Sequence, residues 1–191
     1  MTPTAWIIAV AAIVIIALLI VATSWSRRRR SAELKDRFGR EYDRTVEATG
    51  DRSKAEADLA ERQKRVEKLD IRALDPDERA RFVERWSDVQ ARFVDDPARA
   101  VAFADALLAD VMKARGYPVS DFDRRAGDIS VDHPVVVEHY HKGHEIAVRH
   151  ERGEASTEDL RQAMIHYRAL FDNLVGAAAP ASEMRAHEAT H

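Results

Sequence analysis

Eighteen consecutive apolar residues, 5–22, limit what this chain can fold into more than any other feature, and they read AWIIAVAAIVIIALLIVA. As a helix rising about 1.5 Å per residue, the run is roughly 27 Å long, close to the bilayer hydrocarbon core of about 30 Å. Trp6 and Trp25 lie near its two ends, where indole rings favour the membrane interface. A core helix of a small globular domain turns its outer face to water, and this run has no polar residue for that face. We therefore expect a transmembrane helix over residues 5–25, after a short N-terminal tail, 1–4.

The segment 26–30 that follows carries four consecutive arginines: Arg27, Arg28, Arg29 and Arg30. A cleaved secretory signal carries its basic residues before the apolar run, and here none precedes it. The positive-inside rule keeps the arginines and the body in the cytoplasm, with the N-terminus outside. We expect an uncleaved single-pass protein of the cell (inner) membrane that contacts the bilayer and, through its arginines, anionic lipid head groups. The alternative is a cleaved protein that is secreted or extracytoplasmic.

The charge of the body argues against nucleic acid as a partner. Of 30 Lys and Arg residues, four belong to the arginine cluster, which leaves 26 against 33 Asp and Glu, a formal net charge of −7. An acidic body of this kind repels a phosphate backbone. The sequence has no cysteine, which excludes disulfides, thiolate zinc sites and a cysteine nucleophile.

Residues 31–74 are rich in charge and in good helix formers and contain no proline, which predicts charged linker helices almost throughout, punctuated at Gly50. One apolar pattern in this segment is interrupted in its middle by the charged residue Arg62. A first, narrow stripe recurs every three or four residues: Leu34, Phe38, Tyr42, Val46 and Thr49. The segment could form a stalk that pairs with a second copy of the chain, or it could fold back onto later helices. The sequence leaves both alternatives open.

Helix start signals punctuate residues 75–176. They are N-cap residues followed by proline or, three positions later, by an acidic residue, and they occur at 75–78, 96–97, 120–123 and 156–159. Residues 130–134 lead into one more helix. The apolar spacing predicts these buried positions: Phe82, Trp86, Val89, Phe93, Val101, Ala104, Leu107, Leu108, Val111, Leu160, Met164, Tyr167, Phe171 and Leu174.

No segment alternates with period two over the length of a strand, so the predicted fold class is all-α. It comprises the transmembrane helix, the charged linker helices and a small helical bundle of about five helices over 75–176. The tail 177–191 has no apolar period and is expected to be disordered.

Several runs of the body resemble a family of bacterial single-pass membrane proteins that has no assigned activity. They include LKDRFGREYDRTVE, RGYPVSDF, SVDHPVVVEHY and GEASTEDLRQAMIHYRALFDNL, and the resemblance extends over most of residues 34–174. It implies a membrane location and a helical cytoplasmic domain, and it supplies no catalytic residues.

The chemistry candidates are histidines, since five of the eight fall within residues 133–150. Glu138, His141 and Glu145 lie on one flank of a predicted helix and form a weak candidate metal site. Glu138 and His141 have the Glu-x-x-His spacing of di-iron bundles, which need a second such pair on another core helix. His139 and His141 are two residues apart and point in nearly opposite directions on a helix, so they cannot share an ion.

A formal H-E-x-x-H match occurs at the end of the tail, in His187, Glu188 and His191. A zincin needs this pair on a buried helix with a further ligand, whereas here an Ala- and Pro-rich stretch precedes it. We interpret it as a chance match and expect no tightly bound metal and no cofactor.

A ligand pocket would need His133, His144 and Tyr167 to converge, and this is the second weak candidate site. No phosphate-binding glycine loop or nucleophile elbow occurs, so we expect no enzyme. The sequence favours a non-catalytic, membrane-anchored interaction or scaffold module that binds a protein partner or forms a homodimer. The alternative is a ligand- or metal-responsive, membrane-tethered sensor that uses residues 133–150.

Overall fold

The computed structural model describes residues 3–118 and 120–176, with side chains from residue 18 onward except those of residues 20 and 27. This part of the chain forms eight helices and no strand, which confirms the predicted all-α helical bundle. The helices are α1 Pro3–Phe38, α2 Arg40–Thr49, α3 Arg52–Val66, α4 Pro76–Arg92, α5 Pro97–Ala114, α6 Phe122–Asp132, α7 Val137–Glu151 and α8 Thr157–Gly176. The tail 177–191, with its match at His187, Glu188 and His191, lies outside the described residues.

Helix α1 is continuous over 36 residues, so the backbone of the apolar run passes directly into the body. Four of its apolar side chains are 59–77 % exposed: Leu18, Leu19, Val21 and Trp25. The side chains of Trp6 and Arg27 lie outside the described set, as do most of those in the predicted transmembrane segment 5–25. Within the residues that are described, no helix combines the length and the apolar character needed to cross a membrane.

Two glycine turns fold the charged segment back on itself. Gly39 has φ 52° and Gly50 has φ 66°, the left-handed region that glycine enters at little cost. The sequence predicted the break at Gly50 but not the one at Gly39. It also predicted that the helix after Gly50 continues beyond Val66, where α3 ends. Asp51 then caps α3 by accepting hydrogen bonds from the backbone N–H of the next residues. The result is a helical hairpin, α2–α3.

The hairpin packs on the bundle, which decides between the two alternatives for residues 31–74. Helix α3 contacts α6, and α2 contacts α7. The apolar residues of the first three helices share one buried cluster with those of the later helices: Leu34, Phe38, Tyr42, Leu59 and Val66. The charged segment is therefore part of the same core and does not extend as a stalk.

The cap signals of the later helices are largely confirmed. Asp75 and Glu78 form a reciprocal capping box, and Asp96 accepts from the backbone N–H three residues on. Helix α6 differs, because Asp121 caps it rather than Ser120. This helix continues to residue 132, so residues 130–132 belong to α6 and do not begin the next helix.

The predicted apolar positions form the centre of the bundle, where α8 packs against α5 and α7 and α4 packs on α5. Phe93 is only partly buried, because it caps the end of α4. Trp86 is 4 % exposed and stacks on Phe171, with ring centroids 4.7 Å apart, so it joins α4 to α8. Between α7 and α8, Gly143 lies directly against the ring of the fully buried Tyr167.

Candidate functional site

A cluster of ionisable side chains joins the α2–α3 hairpin to α7. Glu41 of α2 is 6 % exposed, and its carboxylate accepts a hydrogen bond of 3.0 Å from Nη1 of Arg62 on α3. Its other oxygen lies 3.2 Å from Nε2 of His141 on α7. Arg62 also pairs with Asp58 at 2.7 Å. The charge that interrupted the apolar pattern of α3 in the sequence is therefore neutralised inside the fold.

The electrostatics of this cluster keep Glu41 ionised. Burial raises the pKa of its carboxyl, but the hydrogen bonds and charges of His141 and Arg62 outweigh burial, so the pKa lies below the ordinary value of 4.5. A buried carboxylate held by an arginine and a histidine is typical of a structural polar cluster, and both of its oxygens are engaged by these two side chains.

An open groove of about 440 Å³, here called the α2–α7 groove, adjoins this cluster and holds the first candidate metal set. Glu138, His141 and Glu145 all line it. The Glu138 carboxylate is shared by Arg40 at 3.0 Å and Lys142 at 2.7 Å, and His141 faces Glu41. Among the described residues, no three His, Asp or Glu side chains are placed to hold one metal ion.

The second candidate set has separate neighbours. His133 lies beside Asn173, and burial together with the Arg115 guanidinium holds the pKa of its imidazole below the usual range. His144 stacks on Phe122 with ring centroids 3.6 Å apart, and burial lowers its pKa. Tyr167 is fully buried in the core next to Gly143. Each of these three side chains therefore packs against different neighbours in the described part of the chain.

One histidine pair was missed by the sequence analysis. Nδ1 of His139 on α7 lies 3.0 Å from Nδ1 of His166 on α8, 27 residues away along the chain. The sequence pattern that could have indicated this pair is the dipeptide His-Tyr, which occurs on both helices. Its tyrosines, Tyr140 and Tyr167, are both fully buried. Because each histidine precedes a core tyrosine, both occupy equivalent positions beside the same helix interface.

The surface of α4 and α5 carries exposed apolar side chains. Val83 is 51 % exposed and Phe103 45 % exposed, and Val94 at the end of α4 is 85 % exposed. Between the two helices lies a groove of about 250 Å³, here called the α4–α5 groove, and these residues line it: Arg85, Asp88, Val89, Arg92, Phe103, Ala106 and Leu107. Apolar surface with a charged rim is typical of protein interaction sites.

A basic groove lies beside the end of the predicted span. A space of about 520 Å³ is lined by three arginines and one glutamate, together with small residues: Arg28, Arg30, Arg52, Glu56, Ser31, Ser53 and Ala57. Arg52 pairs with Glu56 at 2.9 Å. The start of α3 thus adds a basic residue from another helix to the arginine cluster of α1.

No protein-family model, curated protein or solved structure matches this chain.

Proposed function

We propose that this chain is a single-pass membrane protein whose helical body is a non-catalytic interaction module held at the membrane surface. The observation that carries the proposal is the continuity of α1. Its apolar run leads through the arginines into Leu34 and Phe38, which are 5 % and 0 % exposed in the core of the body. From residue 22 to Leu34 the helix rises only about 18 Å, so a membrane-spanning α1 would hold the body against the head groups.

The basic residues fit this placement. The arginines of α1 would face anionic head groups on the cytoplasmic side, at about 1 kcal/mol for each residue near the surface. Arg52 of α3 lies beside them, with its charge shared with Glu56. The body is acidic as a whole, so this edge is the one that a negative membrane surface attracts.

The ionisable groups of the described body favour binding over catalysis. Glu41, Glu138 and Asp128 each have cationic partners, and the buried tyrosines Tyr140 and Tyr167 have pKa values raised by burial. An active site needs a nucleophile or base that converges with others on one reacting atom. The three carboxylates are already paired within the fold, and burial keeps the two tyrosine hydroxyls protonated.

The α4–α5 groove is the surface we assign to a protein partner or to a second copy of the chain. The stripe at Leu34, Phe38 and Tyr42 is buried in the protein's own core and is not available for association. Confinement to a membrane raises the effective concentration of partners, so a groove this small can act there.

Cross-linking tests this assignment, and the absence of cysteine makes it specific. Phe103 lines the α4–α5 groove and is 45 % exposed. A single cysteine placed there and carrying a photo-cross-linker is expected to capture a protein or a second copy of the full chain in membranes. Arg161, whose side chain is 52 % exposed on α8, is the matched control position and is expected to capture neither. Equal capture at both positions, or none at Phe103, would contradict the assignment.

The contact between His139 and His166 favours the second candidate function, a metal-responsive sensor.

Turnover of a small molecule that is lost on changing Glu138, His144, Tyr167 or Glu188 would instead require a catalytic function.

A further inference from the structure

The contact between His139 and His166 is held in place by the core beneath it. The two rings have centroids 5.2 Å apart at an interplanar angle of 43°, with the two Nδ1 atoms as the closest pair. The following residues, Tyr140 and Tyr167, are fully buried, and Gly143 lets α7 approach the Tyr167 ring closely. The backbone positions of both histidines are therefore fixed by packing, which is the preorganisation that a binding site on rigid helices requires.

The distance between the nitrogens is that of two ligands in one coordination shell. Two nitrogens 3.0 Å apart, each about 2.05 Å from the same ion, subtend roughly 94° at it. An angle near 90° is that of adjacent ligands in square-planar or octahedral complexes, which Cu²⁺ and Ni²⁺ form with imidazole. Tetrahedral zinc would need the nitrogens to be about 3.3 Å apart.

The surroundings admit a cation. Both imidazoles are partly exposed, so an ion can reach them from solvent and keep water in its other coordination positions. The Lys142 ammonium acts electrostatically on His166, and it pairs with Glu138 at 2.7 Å, so its charge is compensated locally.

We propose that His139 and His166 form a two-histidine site for a divalent late transition metal ion, Cu²⁺ or Ni²⁺, that bridges α7 and α8. In the metal-free pair one Nδ1 donates its hydrogen to the other. On binding, that proton moves to Nε2 of the same ring, and both Nδ1 lone pairs bind the ion with no net proton release. The site is separate from the candidate set at Glu138, His141 and Glu145 and from the tail motif.

Titration of Ni²⁺ into the full chain in detergent micelles tests the site. The background carries His187→Ala and His191→Ala, so that the tail motif contributes nothing. We expect one ion per chain by calorimetry, and binding weakened more than about tenfold by either His139→Ala or His166→Ala, since even loss of an outer-shell partner costs 10–100-fold. His150→Ala is the matched control, because His150 lies on the same helix about 16 Å away, and it is expected to bind as the background does.

The Cu²⁺ electron paramagnetic resonance spectrum gives an independent readout. The background protein should give nitrogen hyperfine splitting from two imidazoles, and each single variant should give splitting from one. If His139→Ala or His166→Ala does not fold, His139→Gln and His166→Gln take their place, because glutamine retains a polar side chain of similar reach. Ni²⁺ binding that is unchanged in either folded variant, or weakened equally in His150→Ala, would overturn the proposal.

Discussion

Replacing Trp86 by alanine is expected to lower the free energy of unfolding by about 3–5 kcal/mol. The indole is 4 % exposed and stacks on Phe171, so its loss opens a cavity between α4 and α8 that the helices cannot fill. Against a typical stability of roughly 5–15 kcal/mol, this change removes a large share of the total. Chemical denaturation of the full chain in micelles, followed by circular dichroism, measures it.

The control for this variant is Val83→Ala on the same helix. Val83 is 51 % exposed, so its truncation should change stability by no more than about 0.5 kcal/mol. If Trp86→Ala and Val83→Ala unfold at the same denaturant concentration, α4 does not pack on α8 as described.

Replacing Gly143 by alanine is expected to destabilise the protein by about 1–3 kcal/mol, although the same change in an open helix stabilises by about 1 kcal/mol. A Cβ at this position would stand far inside van der Waals contact with the Tyr167 ring. Tyr167 is fully buried, so its ring has no space to turn away. The two effects have opposite signs, and the close approach of α7 and α8 decides which is larger.

Gly176→Ala is the matched control, because a Cβ there at the end of α8 would meet open space. Its melting temperature should stay near that of the unmodified chain or rise slightly, because no atom opposes the added methyl group. A rise in melting temperature for Gly143→Ala would mean that α7 and α8 lie further apart than the structure has them.

The features that the sequence predicted best are those encoded by neighbouring residues. Asp75 and Glu78 meet because they are three residues apart at a helix start, and that geometry is local. The burial of Trp86 follows from apolar spacing along one helix. Both can be derived without knowing which helices pack together.

The features that the sequence did not predict depend on contacts between distant residues. Arg62 and Glu41 are 21 residues apart, and His139 and His166 are 27 apart, so each pair forms only once its helices have packed. The break at Gly39 was also missed, because a glycine inside a helical pattern is compatible with both helix and turn. Tertiary packing selects the turn.

The proposed placement of the body on the cytoplasmic side of a membrane is tested by the accessibility of single cysteines to a reagent that does not cross membranes. Cysteines replace Thr2, before the predicted span, and Val94, which is 85 % exposed on the body. In intact cells, a membrane-impermeant maleimide should label Thr2→Cys, whereas Val94→Cys should react only after the cells are permeabilised, and the chain should retain its N-terminus. Labelling of Val94→Cys in intact cells, or a mature chain that begins beyond Thr23, would contradict the account.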